Sequence, residues 1–277
     1  MPKVSILICA YNSWNYIFQT IQSVLSQTYW EFELLILDNN SKDETVKNIQ
    51  SFQDDRIKLF QSDKNYWPYW WINYLLDRSS WNYIAILDHD DLWSCDKLEK
   101  QVDFLDNHTE FIWCGTKTVM YYESDSKYFE YYLQEKNYYT IHSSLMFRNG
   151  KYRYDDTIFY FADGYFQKNI LCKWEKFIYN LDEPLTFHLI KDNFNNLSYS
   201  WFKINYANFK RVFDLHWITL YAFLALWYEL SRYIIIRSRI AKVFPKFFKC
   251  FDRAPYKVVG GEFKDFEGSD VEKKFKK

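Results

Sequence analysis

The side chains whose types and spacing could do chemistry are Asp88, His89, Asp90 and Asp91, three carboxylates and an imidazole in four consecutive positions. Carboxylates this close repel one another unless they share something cationic. Hard oxygen donors at this spacing suit Mg2+ or Mn2+, held together with a substrate phosphate. His89 reads as a loop residue rather than a ligand, because such cations prefer oxygen. The competing reading is a solvated acidic turn, with Asp91 capping the next helix or bonding loop backbone. The residues before the cluster shift the balance. Ile84 to Leu87 is apolar without polar alternation, as in a strand buried on both faces. The carboxylates then stand at a strand's carboxyl end, where open α/β sheets bind ligands.

The elements that would position them alternate in type. Lys3 to Ala10 is a β-branched, apolar run that predicts a first buried strand, left through Tyr11, Asn12 and Ser13. Between Tyr16 and Gln27, the residues Ile17, Ile21, Val24 and Leu25 recur at helical spacing. Phe32 to Leu37 predicts a second strand, ending in Asp38, Asn39 and Asn40. Ser41 followed by Glu44 has the spacing of a capping box for a helix through Ile49. A third strand, Ile57 to Phe60, precedes a segment from Asn65 to Leu76 whose end is helical in pattern. Strand and helix alternating in this way predict a mostly parallel, Rossmann-like α/β sheet flanked by helices.

Whole-chain properties bound the function. The chain has 277 residues, with 35 basic and 36 acidic ones, and this near balance gives no sign of nucleic acid as a partner. Cys9, Cys95, Cys114, Cys172 and Cys250 form no C-x-x-C pair, which fits reduced thiols in a cytoplasmic setting and gives no zinc spacing. The apolar run near Met1 is too short for a signal-peptide core or a membrane span. Twelve tryptophans against six glycines invert the usual order. Tryptophan stands where turns are expected, at Trp14, Trp30, Trp67, Trp70, Trp71, Trp81 and Trp113, and Trp174 belongs with them. Glycine codons read as tryptophan would explain this, as when UGA means glycine in the source organism; a naturally aromatic protein is the rival, given 25 Tyr and 25 Phe.

Three blocks, SILICAYN, SVLSQTYWEFELLILDNNSKDET and NYIAILDHDDLW followed by DKLEKQVDFL, resemble the family-2 glycosyltransferases of GT-A fold in order and separation. The resemblance continues more thinly through IHSSLMFRNG, FYFADGYFQKNI and NLDEPLTFHL to about Ser198. It implies a metal-dependent, inverting transfer of a sugar from a nucleoside-diphosphate sugar to a glycan or lipid-linked acceptor in cell-surface polysaccharide synthesis. By the same resemblance Ala10, Tyr11, Asn12, Asp38 and Asn39 hold the nucleoside, with Asn73 nearby. Asp90 then binds the metal, Asp88 contacts ribose or metal-bound water, and Asp163 is the general base. Relatives often carry aspartate where Asn39 stands, which weakens a claim for uracil but leaves UDP- or dTDP-linked donors open. Glycine is typical at the positions of Trp67, Trp81 and Trp113. His142 and Arg148 flank a strand-like run and face either the substrates or solvent.

Residues 1–200 are thus expected to form the catalytic domain, with a C-terminal helical appendage over 201–250 and a polar, poorly ordered tail over 251–277. Within 201–250, an uncharged apolar run from Leu215 to Tyr228 is followed by Arg232, Arg237, Arg239, Lys242, Lys246 and Lys249. A basic, aromatic, amphipathic segment of this kind suits an anionic membrane surface, at the inner face of the cytoplasmic membrane. A helix pair packed on the catalytic domain is the alternative. Two other functions stay open: a nucleotidyltransferase on a similar fold, and a non-catalytic, membrane-associated binder of sugar nucleotides.

Overall fold

The structure is a computed structural model. It describes residues 3–66, 68–123, 126–132, 136–137, 139–156, 162–173, 178–191, 262–266, 271 and 275. The chain divides into two compact units, and the first, residues 1–156, 161–192 and 263–277, carries the architecture that follows. The second, 157–160 and 193–262, falls almost wholly outside the described residues. So do Trp67, Trp174 and the basic segment expected over 201–250.

The amino-terminal half alternates as its apolar pattern requires: β1 (Val4–Ala10), α1 (Ile17–Leu25), β2 (Phe32–Asp38), α2 (Thr45–Gln50), β3 (Ile57–Gln61), α3 (Pro68–Leu76), β4 (Tyr83–Ile86), β5 (Leu92–Trp93) and α4 (Lys97–Asn107). There follow β6 (Trp113–Tyr122), β7 (Lys127–Tyr132), β8 (Lys136–Asn137), a 3-10 turn at His142–Ser144, and β9 (Met146–Arg148). The four-residue α5 (Ala162–Tyr165) runs into a π-helical segment, Phe166–Leu171; β10 (Ile178–Ile190) and β11 (Glu262–Phe266) complete the sheet. The strand order is β11-β7-β6-β9-β4-β1-β2-β3, and β10 joins off this path. β1 lies parallel to both β2 and β4, and β2 parallel to β3, whereas β9 runs antiparallel to β4 and β6.

All seven residues of β1 and of β2 are buried, because helices cover both faces. On one face Val4, Ile6 and Ile8 pack with Ile17, Ile21 and Val24 of α1 and with Leu98, Val102 and Leu105 of α4. On the other, Leu7, Leu35 and Leu37 meet Ile72 and Leu75 of α3 and Phe166 of the π segment. Each such side chain contributes about 1.5–3 kcal/mol by leaving water. The two-residue alternation of the strands thus sorts one apolar run onto two cores.

Four sequence expectations are altered. The Ser41–Glu44 capping box does not form: Ser41 Oγ accepts the Asn12 backbone N–H at 2.9 Å, and Asp43 accepts the Thr45 N–H at 3.0 Å. Asp91 does not cap α4; Asp96 stands at that helix start. The tail expected to be poorly ordered supplies β11 at the sheet edge, and Val271 and Phe275, one helical turn apart, bury against Val119 and Phe187. The tryptophans do not mark turns uniformly. Trp70 and Trp71 lie within α3, Trp113 opens β6, and among described residues positive φ is taken outside glycine only by Asn12, Asn40, Ser126 and Lys173.

Candidate active site

The carboxyl ends of β1, β2 and β4 lie side by side, with Ala10 paired to Asp38 and Leu7 to Ile86. The 88–91 loop leaves β4 here, and each of its aspartates meets a cationic side chain from later in the chain. Asp88 Oδ1 lies 3.4 Å from His142 Nδ1, and Asp90 Oδ2 lies 2.6 Å from Lys191 Nζ. Asp91 is wholly buried; it accepts the Ser143 hydroxyl, the Leu189 backbone N–H at 3.0 Å and His188 Nδ1 at 2.8 Å. The backbone it bonds is that of strand β10, not of a loop as the sequence suggested. His89 turns away, its Nδ1 3.1 Å from the Cys9 carbonyl, while Thr20 donates to its backbone oxygen.

These pairings set the charge state. Burial would raise the Asp88 carboxyl, but the charge and hydrogen bond of His142, with His188 and His89, outweigh it and hold it at about 2. Burial would lower His142, and Asp88 beside it raises it instead. His188 behaves alike: burial lowers it, Asp91 more than compensates, and the imidazole is pushed up to about 9. Asp91 itself is raised by its burial. Each carboxylate of the loop therefore faces a cationic side chain rather than only other anions.

At the end of β2, Asp38 is buried and accepts the Ser41 N–H through Oδ2, while its buried Oδ1 has no partner among the described residues. A buried carboxylate oxygen without a donor is costly unless a ligand supplies one. Asn39 spends its amide on the loop before α3: Nδ2 donates to Asn65 Oδ1 and the Tyr66 carbonyl, and Oδ1 accepts the Tyr66 N–H at 2.9 Å. Asn12, at φ 46°, accepts the Lys42 N–H, and Tyr11 is exposed.

Asn73 is likewise engaged. Its amide makes two 2.9 Å hydrogen bonds to the backbone of Tyr154, one to the carbonyl and one from the N–H. Tyr154 stacks between Tyr69, 5.6 Å away, and Phe166, 3.7 Å away, and its hydroxyl reaches His142 Nε2 at 3.1 Å. Asp163, on α5, accepts the Tyr139 hydroxyl at 3.3 Å, and burial, followed by the Asp163 charge, pushes the Tyr69 hydroxyl pKa well up. Against its burial, the charge of Asp88, and after it that of Asp163, raises the His142 pKa. Arg148 stands apart as a structural residue, donating to the carbonyls of Phe111, Leu105 and His108.

Sequence reasoning missed Ser143, Tyr154, His188 and Lys191. A signal existed: three adjacent carboxylates call for cations, and the chain has only five histidines. The donor chemistry also fits a divalent ion. Asp88 and Asp90 each keep a second carboxylate oxygen that no described group takes, and both side chains are partly exposed. Among described residues no three His, Cys, Asp or Glu converge to close a metal shell. A cation here would complete its ligands from phosphate and water.

A mixed sheet whose amino-terminal strands are parallel, flanked by helices and with carboxylates at the strand ends, has the arrangement of a GT-A fold. Solved structures with that fold agree: Staphylococcus aureus TarS in complex with UDP-GlcNAc superposes with a TM-score of 0.55 at 17% identity, over 69% of this chain and 59% of that one. The mannosyltransferase PcManGT from Pyrobaculum calidifontis, in complex with GDP-Man and Mn2+, gives 0.53 at 15% identity, over 72% and 59%. The chain belongs to glycosyl transferase family 2, which it matches over residues 5–167, more than half its length. It is 39% identical over 111 residues to the Escherichia coli UDP-Glc:alpha-D-GlcNAc-diphosphoundecaprenol beta-1,3-glucosyltransferase WfgD, covering 40% of this chain and 44% of WfgD. It thus spans less than half of that relative.

Proposed function

We propose that this chain is the catalytic part of an inverting glycosyltransferase. It would move a sugar from a UDP- or dTDP-linked donor to a hydroxyl of a glycan or lipid-linked acceptor in cell-surface polysaccharide synthesis. One observation carries the reading: Asp38, with its buried oxygen lacking a donor, ends β2, while Asp88 and Asp90 follow β4, the two strands that flank β1 at the same edge of the sheet. Asp38 Oδ1 suits a pyrimidine N3–H or a ribose hydroxyl, and Ala10, Tyr11 and Asn12 flank it. Asn39 and Asn73 act by fixing the loops on either side of α3. Mg2+ or Mn2+ held by Asp90 and Asp88 would supply a Lewis acid for the departing diphosphate.

Asp163 is assigned the general base. It takes the acceptor hydroxyl proton as the oxygen attacks the anomeric carbon, and that bond forms while the bond to the diphosphate breaks on the opposite face. The names of WfgD and of the TarS complex, with a UDP-sugar in each, support the donor class; WfgD's name supports a lipid-diphosphate acceptor. The basic segment from Arg232 to Lys249 is the part we assign to an anionic membrane surface on the cytoplasmic side. No helix among the described residues is long and apolar enough to cross a membrane.

The test has two stages. UDP with Mn2+ should raise the thermal unfolding temperature, and a panel of sugar nucleotides should then reveal one that is hydrolysed or transferred. Absence of any nucleotide-dependent shift would remove the reading; binding without turnover of any donor would favour the non-catalytic binder.

A further inference from the structure

Lys191 follows directly on β10, and its ammonium reaches back across the sequence to Asp90. The contact is close, 2.6 Å, and well enclosed, with side-chain exposures of 10% for Lys191 and 17% for Asp90. The ammonium also sits 4.0 Å from the centre of the Tyr16 ring, a second surface that favours a cation there. The stem of this lysine is anchored, because the preceding Leu189 N–H and His188 ring are both held by Asp91. Its own residue lies just outside the strand, so the side chain can pivot while its root stays fixed.

Asp90 is also the carboxylate to which a divalent ion is assigned. An ammonium and a divalent ion brought to one carboxylate repel each other strongly in so enclosed a place. We propose that Lys191 is a built-in, exchangeable counter-cation: without donor it occupies Asp90, and when the donor arrives it passes to the diphosphate and leaves Asp90 to the metal. The inference rests on the sugar-nucleotide reading above and adds an order to it. Metal alone must break an ion pair and strand the ammonium, whereas metal arriving with a diphosphate gives the ammonium a new anion. Metal and nucleotide therefore strengthen each other's binding, by the same factor in either direction.

The experiment measures Mn2+ binding from the loss of its free paramagnetic resonance signal, with and without saturating UDP, on the full chain. Three proteins are compared: wild type, Lys191→Met and Lys191→Arg. Wild type should bind Mn2+ roughly tenfold or more tightly with UDP than without. Lys191→Met should bind Mn2+ alone roughly tenfold tighter than wild type, bind UDP alone more weakly, and lose most of the mutual enhancement. Lys191→Arg, which keeps the cation, should restore the wild-type pattern, which a loss of packing would not. Should Lys191→Met fail to fold by circular dichroism, Lys191→Gln carries the same comparison. Equal Mn2+ affinity of wild type and the uncharged variant without UDP would overturn the proposal while leaving the sugar-nucleotide reading intact. Failure of wild type to bind UDP under any condition would overturn that reading and this proposal together.

Discussion

The residues with the sharpest consequences are the carboxylates at the strand ends. Asp90→Asn should abolish Mn2+-dependent UDP binding while leaving far-UV circular dichroism unchanged, because the side chain is partly exposed and outside both cores. Normal turnover in that variant would remove the metal assignment. Asp163→Asn should keep UDP affinity but slow transfer to the acceptor by about 100-fold or more, the usual scale of general-base catalysis. Loss of nucleotide affinity instead would place Asp163 at the donor. How much of this was legible differs from residue to residue. Asp88 and Asp90 could be picked out because an apolar run ends on them. His188 could not, because LTFHLI reads simply as another strand and only the pairing of β10 with β5 and β6 carries its ring to Asp91. Asn39 and Asn73 were legible as polar residues near the site. Their actual work, pinning Tyr66 and Tyr154, depends on loop paths that no periodicity encodes.

At the scale of elements, the loop carrying Tyr154 is held to α3 by the Asn73 amide and by the stack of Tyr154 on Tyr69. Asn73→Ala leaves the Tyr154 N–H and carbonyl without their partner and should cost about 1–3 kcal/mol in denaturant unfolding. Transfer should suffer more than UDP affinity, since the Tyr154 hydroxyl meets His142, the partner of Asp88; a fall in affinity alone would contradict that link. Helix α4 offers a pH test. Lys97 is fully buried, its ammonium bonded to Gln101 Oε1 at 2.6 Å and lying over the Trp93 ring, and burial lowers its pKa to about 7 from 10.5. The unfolded chain therefore binds the extra proton between those two values, so this lysine adds stability as pH rises through that window and adds none below it. The stability of wild type relative to Lys97→Met should accordingly improve from pH 7 to pH 10. A difference that stays flat would mean the ammonium is not desolvated. β1, β2 and β4 were legible because each buries a local apolar run, and β3 because Ile57 and Leu59 pack, half-buried, against the same core. Beyond them, the run before Arg148 was legible as a strand, but its place between β4 and β6 and the pairing of β10 with β6 were not, since those pairings join residues far apart.

For the whole molecule, the tryptophans raise the question of which sequence the fold was built on. Trp93 is buried with its indole N–H donated to the Ser143 carbonyl at 2.7 Å. Trp113 is equally buried, but its N–H finds no oxygen acceptor and faces the Cys172 thiol. Trp70 stacks between Tyr66 and Tyr74, beside the loop that Asn39 holds. Trp14 and Trp30 are more than half exposed. Glycine codons read as tryptophan and a naturally aromatic protein remain the two readings for the positions other than Trp93: UGA there would support the first, whereas UGG would end it. A chain made with glycine at Trp14, Trp30, Trp67, Trp70, Trp71, Trp81, Trp113 and Trp174 should bind UDP with Mn2+ more tightly than the tryptophan chain. Tighter binding by the tryptophan chain would make the aromatic ladder of α3 a stacking surface for the donor. The ion pairs of the acidic loop also bear on how such a chain is made. Asp88, Asp90 and Asp91 leave the ribosome well before His142, His188 and Lys191, so during synthesis β1 to β4 can pack while the loop beside them stays a bare cluster of like charge. The last of its partners arrives about a hundred residues after the loop itself. A nascent chain therefore gains β1 to β4 early and the cationic partners of the loop late, and ions in the cell have access to the carboxylates throughout the interval.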